Sequence, residues 1–374
     1  MSTNLEARAW IQVRADALRH NYTRLREAVG PEARVLPMVK ANAYGLGVEE
    51  VVSCLDPLDP WGFGVATVPE GVTLREWGVE RPIVICSPTP MSSIDAAIEA
   101  DLQLSVSSLR VLERIDQVAR AASRVASIHV DVDTGMGRSG FDWRAAEEWL
   151  PAVAAPRDHV RWVGCYTHLH SADADGDSVE AQWLRLSDVL DRLDGVQDDL
   201  MVHVLNSAGA FRAPEHAKAL VRPGIFLYGG EVGDGQPVPQ PVVSIHAMVV
   251  HTRDVEAGTT LGYGATHSAT GPRRWATLSI GYGDGLPRAL GNRGSALLHG
   301  VRVPIIGRIS MDVTVVDITD VPEVIEGDVA TLIGCDGGEI ITLDDMALTA
   351  GTISYEILTG LTPRLPRTWS GCDE

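Results

Sequence analysis

VLPMVK (35–40) is a short β-branched, apolar run that closes on a lysine, and seven more runs of the same kind follow it. They are GFGVAT (62–67), PIVICS (82–87), QLSVS (103–107), SIHVDVD (127–133), RWVGCYTH (161–168), MVHVLNS (201–207) and VRPGIFLYG (221–229). Between them lie stretches such as RADALRHNYTRLREAV, SSLRVLERIDQVARAA and EAQWLRLSDVLDRL. Their leucines and valines recur every three or four residues, the spacing of a helix with one buried face. Strands alternating with helices call for parallel βα units, and eight units spell a (β/α)8 TIM-type barrel, an α/β fold.

Past the Gly/Pro-rich stretch GDGQPVPQP (233–241) the helical period stops, and β-branched runs broken by glycine take over, as in SALLHGVRVPIIG and DVATLIG. This reads as a second, C-terminal β-rich domain, closed by two short helical stretches around 342–350 and 353–361. The expected division is 1–235 for the barrel and 236–374 for the β-rich domain, with a strand near 8–13 as a candidate to pair with the second. A barrel of about 250 residues plus a smaller domain suits a chain of 374.

Composition narrows the function classes. A hydrophobic fraction of 45% and a charged fraction of 22% are those of an ordinary globular protein. A formal net charge of −19 argues against nucleic acid or an anionic membrane as partner. Cys54, Cys86, Cys165, Cys335 and Cys372 are odd in number, scattered and without CxxC spacing, so neither a disulfide framework nor a zinc site is expected, and no metal. No apolar leader or membrane-length run stands out, and the expected location is the cytoplasm.

Of 31 basic residues only Lys40 and Lys218 are lysine. Lysine does one thing arginine cannot, which is to form an imine with a carbonyl. Lys218 lies in the polar stretch PEHAKA and is expected to be solvated. Lys40 ends the first strand, and in such a barrel the active site lies at the carboxyl ends of the strands. The same rim gathers Arg138 after the fifth strand, His168 at the end of the sixth, Asn206 and Ser207 at the end of the seventh, and Arg222 and Gly224 within the eighth. Each has a plainer reading alone: a snorkelling lysine, a core histidine, a helix cap, a surface arginine. Their convergence on one rim favours a site. Loops after strands seven and eight commonly hold a phosphate, and Ser207, Gly224 and Ile225 lie there. A phosphate-bearing aldehyde condensed on Lys40 is pyridoxal 5'-phosphate.

At these residues the chain resembles the alanine racemases, fold-type III pyridoxal-phosphate enzymes, over nearly its whole length. The matching segments are VKANAYG (39–45), FGVATV (63–68), DTGMGRSGF (133–141), THLHSAD (167–173), NSAG (206–209), VRPGIFLYG (221–229), LGYGAT (261–266), SIGYGDGLPR (279–288), ISMD (309–312) and GTISYE (351–356). The resemblance implies interconversion of L- and D-alanine, supplying D-alanine, with Lys40 and Tyr263 as opposed acid/base groups. Inversion needs a proton removed on one face and returned on the other. It further implies that His168 lies beside the cofactor ring near Tyr263, and that Arg222 faces the pyridine nitrogen with His203 orienting it. Tyr44, Ser207, Gly224, Ile225 and Tyr355 would bind the phosphate with Asn206 beside it. Arg138 and the backbone of Met311 would hold the substrate carboxylate, with Tyr282 at the entrance. Family members are head-to-tail homodimers whose tyrosines and methionine enter the partner's site, so shared sites are expected.

Two departures stand out. Many members carry a carbamylated lysine two residues before the aspartate of DTGM; here Asp131 stands there, expected to steer Arg138 directly or through water. Leu46 and His170 also replace the family's usual histidine and small residue. Rival readings are a racemase of serine or a larger amino acid, and a fold-type III decarboxylase, whose expected Cys-x-Asp segment is absent from ISMD.

Overall fold

The computed structural model describes residues 7–193 and 200–371. Cys372 and the outermost residues of the two expected domains lie outside the described residues.

Eight parallel strands close into a ring: Arg34–Val35, Phe63–Val65, Ile83–Ile85, Gln103–Val106, Ala126–Asp133, Val160–Tyr166, Met201–His203 and Leu220–Val221. Successive partners include Phe63↔Ile83, Val84↔Gln103, Leu104↔Ile128, Cys165↔Val130 and Gly164↔Met201. The eighth strand pairs with the first through Leu220↔Arg34 and Val221↔Val35, which seals the ring. Two joints rest on single hydrogen bonds instead of ladders: Gly64 N–H to Pro37 O and Val39 N–H to Gly64 O between strands one and two, and Ala219 N–H to Val202 O and Arg222 N–H to Leu205 O between seven and eight. The strands are short and buried on both sides, as parallel strands covered by helices must be. Ile83, Val84 and Ile85, for instance, are all fully buried.

The surrounding helices follow their sequence signals. In Leu109–Ala121 the Ser108 hydroxyl accepts from Val111 N–H, and Leu112, Ile115, Val118 and Ala119 turn inward at helical spacing. Helix Val68–Glu76 starts with a reciprocal capping box between Thr67 and Glu70.

Most of the strands are shorter than their sequence runs, and at the first and the eighth the chain itself shows why. The first gives way at Lys40 to a left-handed turn, and the eighth stops at Val221. Pro223 has no N–H to donate to a ladder, and the chain beyond it folds into consecutive turns, Leu227 N–H to Gly224 O and Tyr228 N–H to Ile225 O.

The rest of the chain is β-rich. Val243–Val255 is the spine of a nine-stranded sheet, pairing antiparallel with Arg273–Leu278 on one half and with Val329–Asp336 on the other. Strand Ala9–Arg14 joins this sheet, antiparallel to Val243–Ala247 and parallel to Arg367–Ser370. Helices Leu343–Ala350 and Ser354–Gly360 complete it. One apolar core runs through both parts, from Ile11 and Leu18 to Leu358 and Leu365. Among the described residues no helix is long and apolar enough to cross a membrane.

Candidate active site

One cavity opens at the carboxyl ends of the barrel strands. Lys40, Tyr44, Asp131, Arg138, His168, Asn206, Ser207, Arg222, Gly224, Ile225 and Tyr355 all line it. Tyr355 reaches it from helix Ser354–Gly360, so the β-rich part supplies a wall of the barrel's mouth.

Lys40 is aimed by an unusual turn. Ala41, Asn42, Ala43 and Tyr44 all have φ between 50° and 57°, a left-handed conformation costing about 1–2 kcal/mol for each such residue. Neighbours hold it in place. Glu70 Oε1 accepts from Ala41 N–H at 2.7 Å while its other oxygen accepts from Ala66 and Thr67 N–H, and Arg367 donates twice to Gly45 O. Burial lowers the pKa of the Lys40 amine, and the Arg138 and Arg222 cations push the same way against Cys86 and Glu70. The neutral, nucleophilic form is thereby favoured.

Arg222 is buried and fully engaged. Its Nη1 donates to His203 Nδ1 at 2.9 Å and to His203 O at 2.6 Å, its Nη2 donates to Thr167 O at 2.7 Å, and its guanidinium lies 5.1 Å from the Tyr166 ring centre. Burial, with Arg222 and Arg138 nearby, holds His168 down to about 3, so this imidazole is neutral near pH 7 and can accept a hydrogen bond. His203 stands behind Arg222, outside the cavity lining.

The opposite end of the cavity is a polar cradle. Ser207 Oγ accepts from Gly224 N–H at 2.8 Å, and Asn206 caps helix Ser207–Arg212 through Gly209 N–H. Tyr44 stacks on Tyr228 with ring centres 4.5 Å apart and lies 6.1 Å from Tyr355. A Cβ on Gly224 would stand 2.1 Å from the Tyr44 hydroxyl oxygen, so only glycine lets backbone and phenol approach this closely.

Asp131 is 4% exposed, and its Oδ2 accepts from Ser139 Oγ at 2.8 Å and Ser107 Oγ at 3.3 Å. Burial raises its pKa, the two serines and two arginines opposing. Among the described residues it makes no hydrogen bond to Arg138. Its carboxylate instead holds Ser139, the residue next to Arg138. Asp133 holds the other end of that loop, accepting from Gly135 and Gly137 N–H.

Tyr263, Tyr282 and Met311 are not in this cavity. They are exposed on the β-rich part, at 67%, 41% and 52%. The loops bearing Tyr282 and Met311 are laminated by Tyr282 N–H to Ser310 O and Gly283 N–H to Met311 O. Behind them the fully buried Asp284 takes Arg8 at 2.7 Å and Arg364 at 3.2 Å. Arg364 goes on to Asp312, and Arg8 to the carbonyls of Ser279 and Asp312.

Family models for the alanine racemase N-terminal and C-terminal domains match residues 13–232 and 242–369. The chain belongs to the alanine racemase family. It is 35% identical over 355 residues to alanine racemase of Syntrophobacter fumaroxidans, covering 94% of each chain. The alanine racemase structure from D-cycloserine-producing Streptomyces lavendulae superposes with a TM-score of 0.93 at 30% identity, covering 99% of this chain and 98% of that one. That of Bartonella henselae, which carries covalently bound pyridoxal phosphate, superposes with a TM-score of 0.89 at 30% identity, covering 97% and 100%.

The side chains present fit that cofactor in an alanine racemase. The rim offers one amine of lowered pKa, a buried permanent cation, and at the far end a serine, two phenols and a glycine cradle suited to a phosphate. Several contributors escaped the sequence reading. Cys86 and Tyr166 also line the cavity, and Cys86 follows the third strand, where the strand-end rule applied to that strand would have found it. His129 and Gln103 act through contacts distant in sequence that no local signal marks, and the capping box that marks Glu70 does not foretell its bond to Ala41. Lys218 is exposed, as a solvated lysine should be, but lies 4.7 Å from the Trp183 ring centre. Leu46 is fully buried, and His170 is exposed beside Ser171. Among the described residues no group of three or more His, Cys, Asp or Glu could hold a metal ion.

Proposed function

We propose that this chain interconverts L- and D-alanine with pyridoxal 5'-phosphate held on Lys40, and that it does so as a homodimer with shared sites. One observation carries the second half: Lys40 sits in a barrel cavity while Tyr263, the other acid/base candidate, is 67% exposed and lines no part of it. A catalytic phenol facing away from its own cavity serves a neighbouring one.

When bound, the cofactor acidifies the substrate's Cα–H. The chain does the rest. Lys40 Nζ, its proton affinity lowered by burial, takes or returns the proton on one face, and Tyr263 of the second subunit does so on the other; each placed base contributes about 10²–10⁴ in rate. His168, neutral at working pH, accepts from the incoming phenol. Arg222 presents a fixed cation to the cofactor's ring nitrogen, with His203 orienting it. Tyr44, Tyr355, Ser207, Gly224 and Ile225 hold the phosphate, beside Asn206. Arg138 receives the substrate carboxylate with the Met311 backbone, Tyr282 narrows the entrance, and Asp131 anchors the Arg138 loop. The domains divide as 1–235 and 236–374, with strand Ala9–Arg14 lent to the second. An odd number of scattered cysteines without CxxC spacing favours a reducing compartment, the cytoplasm.

The test is subunit mixing. Lys40→Ala and Tyr263→Phe proteins, each inactive in polarimetry of L-alanine, are dissociated together and reassembled. Shared sites restore about a quarter of wild-type activity, because half of the statistically formed dimers then carry one complete site. No recovery, with mixed dimers demonstrated, would reject shared sites; turnover by Lys40→Ala alone would reject the assignment of Lys40.

A further inference from the structure

Behind Arg222 runs a chain of side chains, two of them buried and the last half-buried, that leaves the cavity and crosses the barrel. His203 Nε2 meets His129 Nδ1 at 2.9 Å, and His129 Nε2 meets the Gln103 side-chain oxygen at 2.7 Å. Both imidazoles are fully buried. Room for His129 is made by Gly164 on the next strand, where a Cβ would stand 2.1 Å from its Nδ1.

The direction of every proton in this chain is fixed by its two ends. A guanidinium only donates, so His203 Nδ1 must accept from Arg222. The His203 proton then sits on Nε2 and is donated to His129 Nδ1. That leaves the His129 proton on Nε2, donated to Gln103 Oε1. Burial and the Arg222 charge hold His129 down to about 3 and His203 well below its usual range, so both rings stay neutral. Were the amide nitrogen of Gln103 turned toward His129, the order would reverse, and an N–H of His203 would face an N–H of Arg222 at 2.9 Å. No carboxylate among the described residues hydrogen-bonds Arg222; its remaining acceptors are the carbonyls of Thr167, His203 and Val204. A cation buried on neutral acceptors keeps its field for whatever lies in the cavity.

We propose that Gln103, which touches neither cofactor nor substrate, is a positioning residue: it fixes the polarity of the His129–His203 relay and so holds Arg222 in place as an unneutralised cation. The proposal rests on the reading that Arg222 serves the cofactor ring.

Nitrogen NMR of the 15N-histidine-labelled holoenzyme tests it, with His129→Asn and His203→Asn assigning the signals. Both rings should be neutral with the proton on Nε2 between pH 5.5 and 9. Gln103→Glu, still an acceptor but negatively charged, should keep a proton on His129 Nε2 while lowering turnover, because its carboxylate lends the relay a counter-charge to Arg222. Gln103→Met, similar in shape without an acceptor, and Gln103→Lys, a donor, should lower kcat about tenfold, the scale set by an unpaired buried N–H, with KM for alanine changed less than twofold. A proton on Nδ1 of either ring in the wild type overturns the relay. Wild-type kcat in Gln103→Met overturns the positioning role. Arg222→Lys with unchanged turnover would instead sink the reading beneath the proposal, whatever the tautomers.

Discussion

Gly224→Ala should weaken cofactor binding. The added Cβ falls 2.1 Å from the Tyr44 hydroxyl oxygen and 2.9 Å from the ring carbon bearing it, whereas ordinary contact begins at 3.4 Å. The phenol must retreat by about 1.3 Å. It cannot do so freely: one face stacks on Tyr228, which is itself fixed by a hydrogen bond to Met38 O, and its backbone is locked in the left-handed turn. Overpacking of this kind costs about 1–3 kcal/mol. Expressed as affinity, that is a loss of about 5- to 150-fold. Spectrophotometric titration of the reconstituted protein with cofactor measures it, and thermal unfolding without cofactor separates strain in the fold from strain in the bound state. Combining Gly224→Ala with Tyr44→Phe removes the oxygen and leaves a shortfall of about 0.5 Å at the ring carbon, so the pair should bind more tightly than the two single losses would sum to. Unchanged affinity in Gly224→Ala, or strictly additive losses in the pair, would refute the reasoning.

Asp131→Asn should raise KM for alanine while raising thermal stability at neutral pH. Burial lifts the pKa of this carboxyl, so its favourable contribution is complete below its ordinary 3.8 and is lost as pH rises through the folded value; melting curves at pH 4 and 7 should show the variant's advantage only at the higher pH. An unchanged KM would show that the loop before Ser139 holds its shape unaided. The buried histidines work in the opposite sense. His129 and His168 are held down to about 3, so the stability they secure is full above their ordinary 6.5 and fades as pH falls toward 3. Wild-type melting temperature should drop through that window, and His168→Gln should flatten the fall. Glu70→Gln, which weakens the clamp on the turn after Lys40, should lower kcat about tenfold, judged from loss of a charge-assisted hydrogen bond at 2.7 Å; full turnover would mean that the left-handed turn is self-supporting.

The barrel was legible because its signal is repeated: eight apolar runs, with amphipathic stretches between them, leave little choice of fold. Residues at strand ends were legible for the same reason, since topology alone carries Lys40, Arg138, His168, Ser207 and Arg222 to one rim. What stayed hidden depends on side chains meeting across the barrel. Nothing near His129 in sequence says that Gly164 clears a space for it or that Gln103 receives its proton. Nor does sequence limit how far a strand continues. VRPGIFLYG reads as one extended run, yet Pro223 ends its ladder and the rest winds into turns that place Gly224 beside Tyr44. Alternation in SIHVDVD puts Asp131 on one face of its strand with His129 and Asp133, but whether its carboxylate chooses Arg138 or a hydroxyl next to it depends on fractions of an ångström that periodicity does not encode.

Arg8 precedes the first strand and Arg364 lies close to the last, yet both grip Asp284 beneath the loops of Tyr282 and Met311. The two extremities of the polypeptide thus act as a buckle. Loosening it would be felt first at the loops of Tyr282 and Met311, since neither arginine lines the barrel cavity.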